Sequence, residues 1–285
     1  MSNLFAGRKL CIATMHGKQR VIAPHVERTL SVHCSVAPEG FDSDRFGTFS
    51  GEVPRRGPPL EAARRKAEAA MQLSGLDLAI ASEGSFIPHP EVGLIPIGIE
   101  HIVLFDRSND LEIVGEHVTT ETNHAHRECH SLDDAVDFAR RIGFPEHGLL
   151  LVMGEPPVRI LRDLRDHQAL VSAVHAIRAE SLSNRLPWFA LSDLRADRNP
   201  TRMRAIDQAA AALATRAATT CPECALPGFG QVDLLRGLPC ACCGVPSNWV
   251  RAMVQGCAGC SCRREILRAD GLTTVDPGSC SFCNP

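Results

Sequence analysis

Between residues 59 and 71 the apolar positions recur at helical spacing. Leu60, Ala63, Ala67, Ala70 and Met71 form one stripe, and Glu61, Arg65 and Glu68 fall on the opposite face. Pro58 and Pro59 suit a first helical turn, where a missing N–H costs nothing, and Gly75 suits the stop. Residues 76–81 then form an unbroken apolar run of strand length, ending in Ser82, Glu83 and Gly84. A carboxylate at the end of such a strand, followed by glycine, predicts a residue facing a cleft of an α/β sheet.

The same patterning carries through the first three-quarters of the chain. Residues 9–14 predict a strand, 15–18 a turn, and 21–30 a helix despite Pro24. Residues 32–37 predict a second strand. Residues 41–56 are polar and broken by Gly and Pro; they predict a long loop able to act as a lid, with Asp42, Asp44, Thr48 and Glu52 bordering a cleft. Residues 84–90 read as a turn. Residues 97–105 and 111–118 predict a hairpin closed by the polar stretch 106–110. Residues 119–130 predict a solvated loop, in which His124, His126 and His130 are a candidate metal cluster. Ser131 caps a helix to residue 142 that buries Leu132, Ala135, Val136 and Ala139. Residues 148–153 and 188–191 read as strands, residues 166–178 as a helix. Asn199 and Pro200 open a last, alanine-rich helix to about residue 217. Strands mixed with helices predict one α/β domain over residues 1–217.

Composition alters the picture at the C-terminal end. Ten of the 13 cysteines lie between Cys221 and Cys283. Four CxxC pairs stand there: Cys221/Cys224, Cys240/Cys243, Cys257/Cys260 and Cys280/Cys283, with Cys242 and Cys262 as spares. Read in order, the first two pairs make one four-cysteine zinc site and the last two a second, so residues 218–285 predict a tandem zinc-ribbon module. All-cysteine sites are closed and therefore structural. With few large apolar residues, the tail would take its fold from metal binding, worth about 10–16 kcal/mol in small zinc peptides. Arg251, Arg263, Arg264, Arg268 and Trp249 make the tail a candidate surface for nucleic acid or protein, or for pairing of two copies into a homodimer.

The net charge of −3 carries no global basic signal for nucleic acid. No stretch approaches a membrane span, and the first residues lack the apolar core of a signal peptide, so the expected location is cytoplasmic.

A glycine and a lysine after the first strand can place N–H groups and an ammonium beside an anion, which makes Lys18 a candidate phosphate contact. The helix with Glu61-Ala-Ala-Arg-Arg-Lys66-Ala, followed by Ala-Ile-Ala-Ser-Glu-Gly, resembles the inosine/xanthosine triphosphate pyrophosphatase superfamily, which includes the Maf proteins. That family carries E-N-A-x-x-K-A; here Ala62 replaces the Asn, and Ser82-Glu83 replaces a frequent Asp-Asp. The resemblance implies a mixed sheet flanked by helices and Mg²⁺-dependent cleavage of a nucleoside triphosphate to monophosphate and pyrophosphate. Glu83 and Glu61 would hold Mg²⁺, Glu83 would orient water, and Lys18 matches the family's triphosphate-binding lysine. Thr14, His16, Lys66, Ser82, Gly84 and Ser85 would border the substrate. Thr201, Arg202 and Arg198 match the family's Ser/Thr–Arg element before the last helix.

Four further stretches, ATxHGKxxVIAP, SEGSFxPHP, NPTRM and the final CNP, are similar to those of an uncharacterised bacterial family with a cysteine-rich tail, which implies no activity. A second reading keeps the nucleotide but not its cleavage: a sensing module whose ribbons recognise nucleic acid or protein.

Overall fold

The computed structural model describes residues 3–89 and 95–284; Pro90 of the expected turn and Pro285 of the CNP ending lie outside the described residues. β1 (Lys9–Ala13), α1 (Gln19–Leu30), β2 (His33–Val36), α2 (Pro59–Ser74) and β3 (Leu78–Pro88) open the chain. β4 (Pro96–Asp106) and β5 (Leu111–Thr119) complete a five-stranded sheet of order β2-β1-β3-β4-β5. β1 is parallel to β2 and β3, and β3, β4 and β5 form an antiparallel meander.

The β1–β2 and β2–β3 crossovers run in opposite directions along the sheet, so right-handed connections put α1 and α2 on opposite faces. The strand residues divide accordingly. Leu10, Ile12 and Ile80 pack with Ile22, Val26 and Leu30 of α1 on one face. Cys11, Ala79 and Ala81 pack with Ala63, Ala67, Ala70 and Met71 of α2 on the other, which is the stripe the sequence predicts. The strand order reverses between β1 and β3, and α/β sheets bind ligands at the carboxyl ends of strands beside such a reversal.

β1 ends at Ala13, opposite Ala81, whereas β3 continues for seven more residues paired with β4 alone. Glu83 therefore lies within a strand rather than at its end, and residues 84–88 are strand, not turn. The unbroken antiparallel register, Ser85 opposite Ile99 and Ile87 opposite Ile97, outweighs the local Gly and Pro signals.

A second lobe follows: β6 (His126–Cys129), α3 (Leu132–Ile142), β7 (Leu149–Met153), β8 (Arg159–Leu161), α4 (His167–Asn184) and β9 (Trp188–Ser192). Its antiparallel sheet has the order β6-β9-β7-β8. It has its own core, with Phe138, Leu151, Val174, Ile177 and Trp188 at the centre. Ser131 caps α3 in a full capping box with Asp134. Part of the expected 119–130 loop is strand: His126–Cys129 pairs along β9. α5 (Pro200–Ala218) then returns to the first lobe and buries Ile206, Ala210 and Leu213 against the face that α1 covers.

The tail forms a three-stranded antiparallel sheet, β10 (Gly230–Arg236), β11 (Val250–Gly256) and β12 (Arg263–Leu267). The fold is thus mixed α/β, with five α-helices among the described residues. No helix among them is long and apolar enough to cross a membrane.

α5 crosses β5 at Gly115, where an added Cβ would lie 2.4 Å from the Leu213 backbone nitrogen. Backbone cannot swing aside as a side chain can. Gly115→Ala is expected to cost about 1–3 kcal/mol or more in urea unfolding, and Ser131→Ala about 1 kcal/mol. Equal stability of Gly115→Ala and wild type would show that this crossing is looser than described.

Candidate functional site

The two lobes enclose a cleft of about 150 Å³. The first lobe contributes Lys18 at the head of α1, Lys66 from α2, Glu83 from β3 and Arg202 from α5. The second contributes Leu150, Leu191, Ser192 and the following Asp193 and Arg195. Asp44 and Phe49 of the 41–56 segment, with His124 and His126, line the remaining wall.

Its charges are buried and mostly paired. Lys66 donates to one Glu83 oxygen, and Arg55 donates to the other at 3.1 Å and to the Gly84 carbonyl at 2.9 Å. Burial works against the Glu83 carboxylate, but Lys66, with Lys18 and Arg202 behind it, holds its carboxyl below the usual range. Arg202 Nε donates to Glu100 at 2.6 Å, with both side chains buried, and its other nitrogens reach the Leu194 carbonyl and the second Glu100 oxygen. Gly84 makes room for this pair. A Cβ there would lie 2.5 Å from Glu100 Oε1 and 2.7 Å from Arg202 Nη2. Phe49 covers the guanidinium 4.5 Å from its ring centre.

Lys18 differs. Its ammonium is buried and donates to Ser82 Oγ at 2.9 Å, and among the described residues no carboxylate lies within ion-pair distance of it. Burial, with Arg202 and Lys66 nearby, brings its pKa down to about 7.

His16 is clamped between two carboxylates, Asp44 at 3.0 Å and Asp197 at 3.4 Å. Burial disfavours its charged form, yet the two aspartates raise its pKa. His16 in turn lowers both aspartates.

The structure brings Lys18, Lys66, Glu83, Arg202 and His16 to one cleft. Thr14 and Ser82 lie one step behind it, accepting from the His16 amide and from Lys18. Ser85 is buried away from the cleft with its hydroxyl unpartnered. Three more expected residues point elsewhere. Glu61 is exposed and bonds Arg65 at 2.8 Å; it stands about 140° around α2 from Lys66, so the two cannot face one cleft. Arg198 donates to the Leu164 carbonyl, and Thr201 bonds His147. The candidate histidine cluster does not converge. His124 stacks flat on Phe86 at 4.9 Å, and among the described residues the only groups with ligand geometry are cysteines.

Residues that sequence reasoning missed include Arg55, Phe49, Ser192 and Glu100. Glu100 carried a signal: it interrupts the apolar strand 97–105, where a buried carboxylate needs a cationic partner. Magnesium does not fit the cleft as it stands. Glu83, Asp44 and Asp193 are each engaged by a cationic or histidine side chain, and no acidic cluster converges there among the described residues.

The tail holds two groups of four cysteines, each with its sulfurs within 4.8 Å of one another. Zinc fits them. Bonds of about 2.3 Å in a tetrahedron separate sulfurs by about 3.8 Å, and contacts here are 3.6–3.9 Å. That is far beyond the ~2.05 Å of a disulfide. Knuckle amides point at the sulfurs, Gly259 at Cys257 and Cys242 at Cys240. The amides of Cys243 and Cys242 draw the Cys240 thiol down to about 7.

The pairing expected from order is corrected. Cys221, Cys224, Cys257 and Cys260 form one group, and Cys240, Cys243, Cys280 and Cys283 the other. The antiparallel meander dictates this. Seven-residue β10 spans about 20 Å, so the pairs before and after it stand at opposite ends of the sheet. β11 returns the third pair beside the first, and β12 carries the fourth toward the second.

The family described as domain of unknown function DUF6671 matches residues 66–285, and the chain belongs to that family. No curated protein matches the chain at a significant level.

Two predictions follow from this geometry. The raised His16 pKa gives stability that is full below about pH 6.5 and lost as pH rises through the folded value. The lowered aspartates give stability present above about pH 4 and lost on acidification. The clamp is partly exposed, so under about 1 kcal/mol is expected. The melting-temperature gap between wild type and His16→Gln should be widest between about pH 4 and 6.5 and narrow as pH rises through the raised His16 value; a gap that widens with alkali contradicts the clamp. Separately, the double variant Cys221→Ser/Cys257→Ser should keep one zinc by elemental analysis, because both thiols serve one group. Pairing in chain order would leave none.

Proposed function

We propose that the inter-lobe cleft binds a phosphorylated small molecule of the nucleotide class. The observation that carries this reading is Lys18: a buried ammonium with no carboxylate in ion-pair distance among the described residues, facing a cleft at the β1/β3 reversal. A buried charge without a counter-charge is costly, and a bound anion would offset that cost. Lys66 and Arg202 beside it suit further phosphate oxygens, and Arg195 and Arg162 extend the cationic lining to the second lobe. Phe49, Leu150 and Leu191 offer an apolar wall for a ring.

A second reading is Mg²⁺-dependent pyrophosphohydrolysis, as the Maf-like resemblance implies. It is favoured by the convergence of Lys18, Lys66 and Glu83 at one strand edge. Against it, Glu83 would have to shed Lys66 and Arg55 before it could hold a metal or activate water. Binding is therefore the primary reading. For the ribbons, a protein partner fits better than nucleic acid. Residues 218–285 hold five arginines and five acidic residues, and thiolate-bound zinc adds negative charge.

Calorimetry against normal and deaminated nucleotides tests the binding. Because Lys18 titrates at about 7, affinity should weaken above that pH, by up to about tenfold per pH unit. Lys18→Met should lose about 10- to 100-fold in affinity and its pH dependence. No binding by any nucleotide, or binding indifferent to Lys18, would refute the proposal. Pyrophosphate release with Mg²⁺ that disappears in Glu83→Gln would establish the second reading in its place.

A further inference from the structure

Arg216 stands in the last turn of α5, at the far end of that helix from Arg202 and the cleft. Its side chain is half-buried, and its guanidinium makes two hydrogen bonds, both to backbone carbonyls. Nη1 donates to Val114 of β5 at 2.9 Å, and Nε to Gly228 at 3.2 Å. Neither carbonyl belongs to α5, so the arginine is not capping its own helix. No carboxylate lies within ion-pair distance of it among the described residues. Burial works against its charge. The Gly228 it bonds lies against the third knuckle, where an added Cβ would come 2.8 Å from that of Ala258, between Cys257 and Cys260.

Gly228 lies between the first cysteine knuckle and β10, and the arginine's aliphatic stem rests near Gly230, where an added Cβ would come within 3.1 Å of it. Ala258, inside the third knuckle, packs on the first lobe's core. The group formed by Cys221, Cys224, Cys257 and Cys260 is thus seated on β5 and α5. Each group also has a small core of its own, Cys221, Phe229 and Cys262 at the first and Leu238, Cys240, Val275 and Cys280 at the second, but among the described residues only the first places a knuckle residue on a lobe's core.

Zinc held by four thiolates leaves a net charge of about −2. We propose that Arg216 is the counter-ion of the first cysteine group when zinc is bound, tightening metal at that group alone and fastening it to the α/β domain. Groups just outside a metal's ligands, oriented as this one is by β5 and the first knuckle, tune affinity without touching the ion. The two sites then differ in kind: one is part of the domain's packing, the other an appendage. The inference rests on zinc occupying both groups.

The test follows zinc release from the full-length protein into a chromogenic chelator. Wild type should hold two zinc ions per chain and release them in two phases. Arg216→Gln should accelerate one phase about 10- to 100-fold and leave the other unchanged, with Arg216→Lys restoring part of the difference. The unchanged phase is an internal control for folding. Cys280→Ser, which disables the second group, should keep the Arg216-sensitive phase. Its domain melting temperature should stay near wild type, whereas Cys257→Ser should lower it. Two zinc ions whose release ignores Arg216, or responds equally at both sites, would overturn the proposal alone. A wild-type chain without zinc would remove the reading on which it rests.

Discussion

Arg202 is gripped from three sides. Glu100 comes from the centre of the sheet, the Leu194 carbonyl from the end of the second lobe, and Phe49 from the long segment after β2. Its amide is meanwhile taken by Asn199 at the start of α5. A buried ion pair seldom adds much net stability, but losing one partner leaves a stranded charge at a cost of about 3–5 kcal/mol. The pair therefore acts as a register pin. It fixes where α5 begins and ties the chain just past β9 to Glu100 of β4. The cleft is the space left over once that pin is set.

Around it, each charge is either matched or exposed to the cleft. Glu83 is matched twice, His16 is matched on both ring nitrogens, and Lys18 is left without an acid. Buried side chains in a folded protein are normally satisfied, so an imbalance concentrated at a sheet's strand reversal is informative about what the site awaits. The same logic applies at the other end of α5, where Arg216 stands beside a cysteine group and bonds carbonyls rather than carboxylates. One helix thus joins two places where the protein's own side chains leave charge to be completed by something else.

Much of this was legible in the sequence, for reasons that differ by element. The α2 stripe could be read because alanines and Met71 leave no competing pattern. Lys66 lies beside that stripe, three residues after Ala63, yet only the resemblance singled it out; the structure shows it buried. The β4–β5 hairpin announced itself by its polar turn. Glu61 misled because a motif records residue types in a line, while helix geometry decides which can face the same space. The extension of β3 past Gly84 was hidden because its partner strand, not its own composition, holds it extended. The division of residues 1–217 into two cores depends on contacts between segments far apart in the chain, which local periodicity does not encode. The cysteine pairing was hidden for the same reason: spacing identifies knuckles, but sheet topology decides which knuckles meet.

That alternation of knuckles has a consequence for how the chain is made. Cys224 is synthesised 33 residues before its neighbour Cys257, and Cys243 is synthesised 37 residues before Cys280. At about 5–20 residues per second, each half-built group waits roughly 2–7 s for its missing sulfurs. During that wait the second group opens before the first has closed, so four early thiols stand unmatched on the nascent chain at once. Bringing the wrong two pairs together would be the shorter loop, and an extended β10, held so by β11 once that strand emerges, keeps them apart. Strand pairing must therefore outrun metal capture if the finished tail is to be wired as the structure shows.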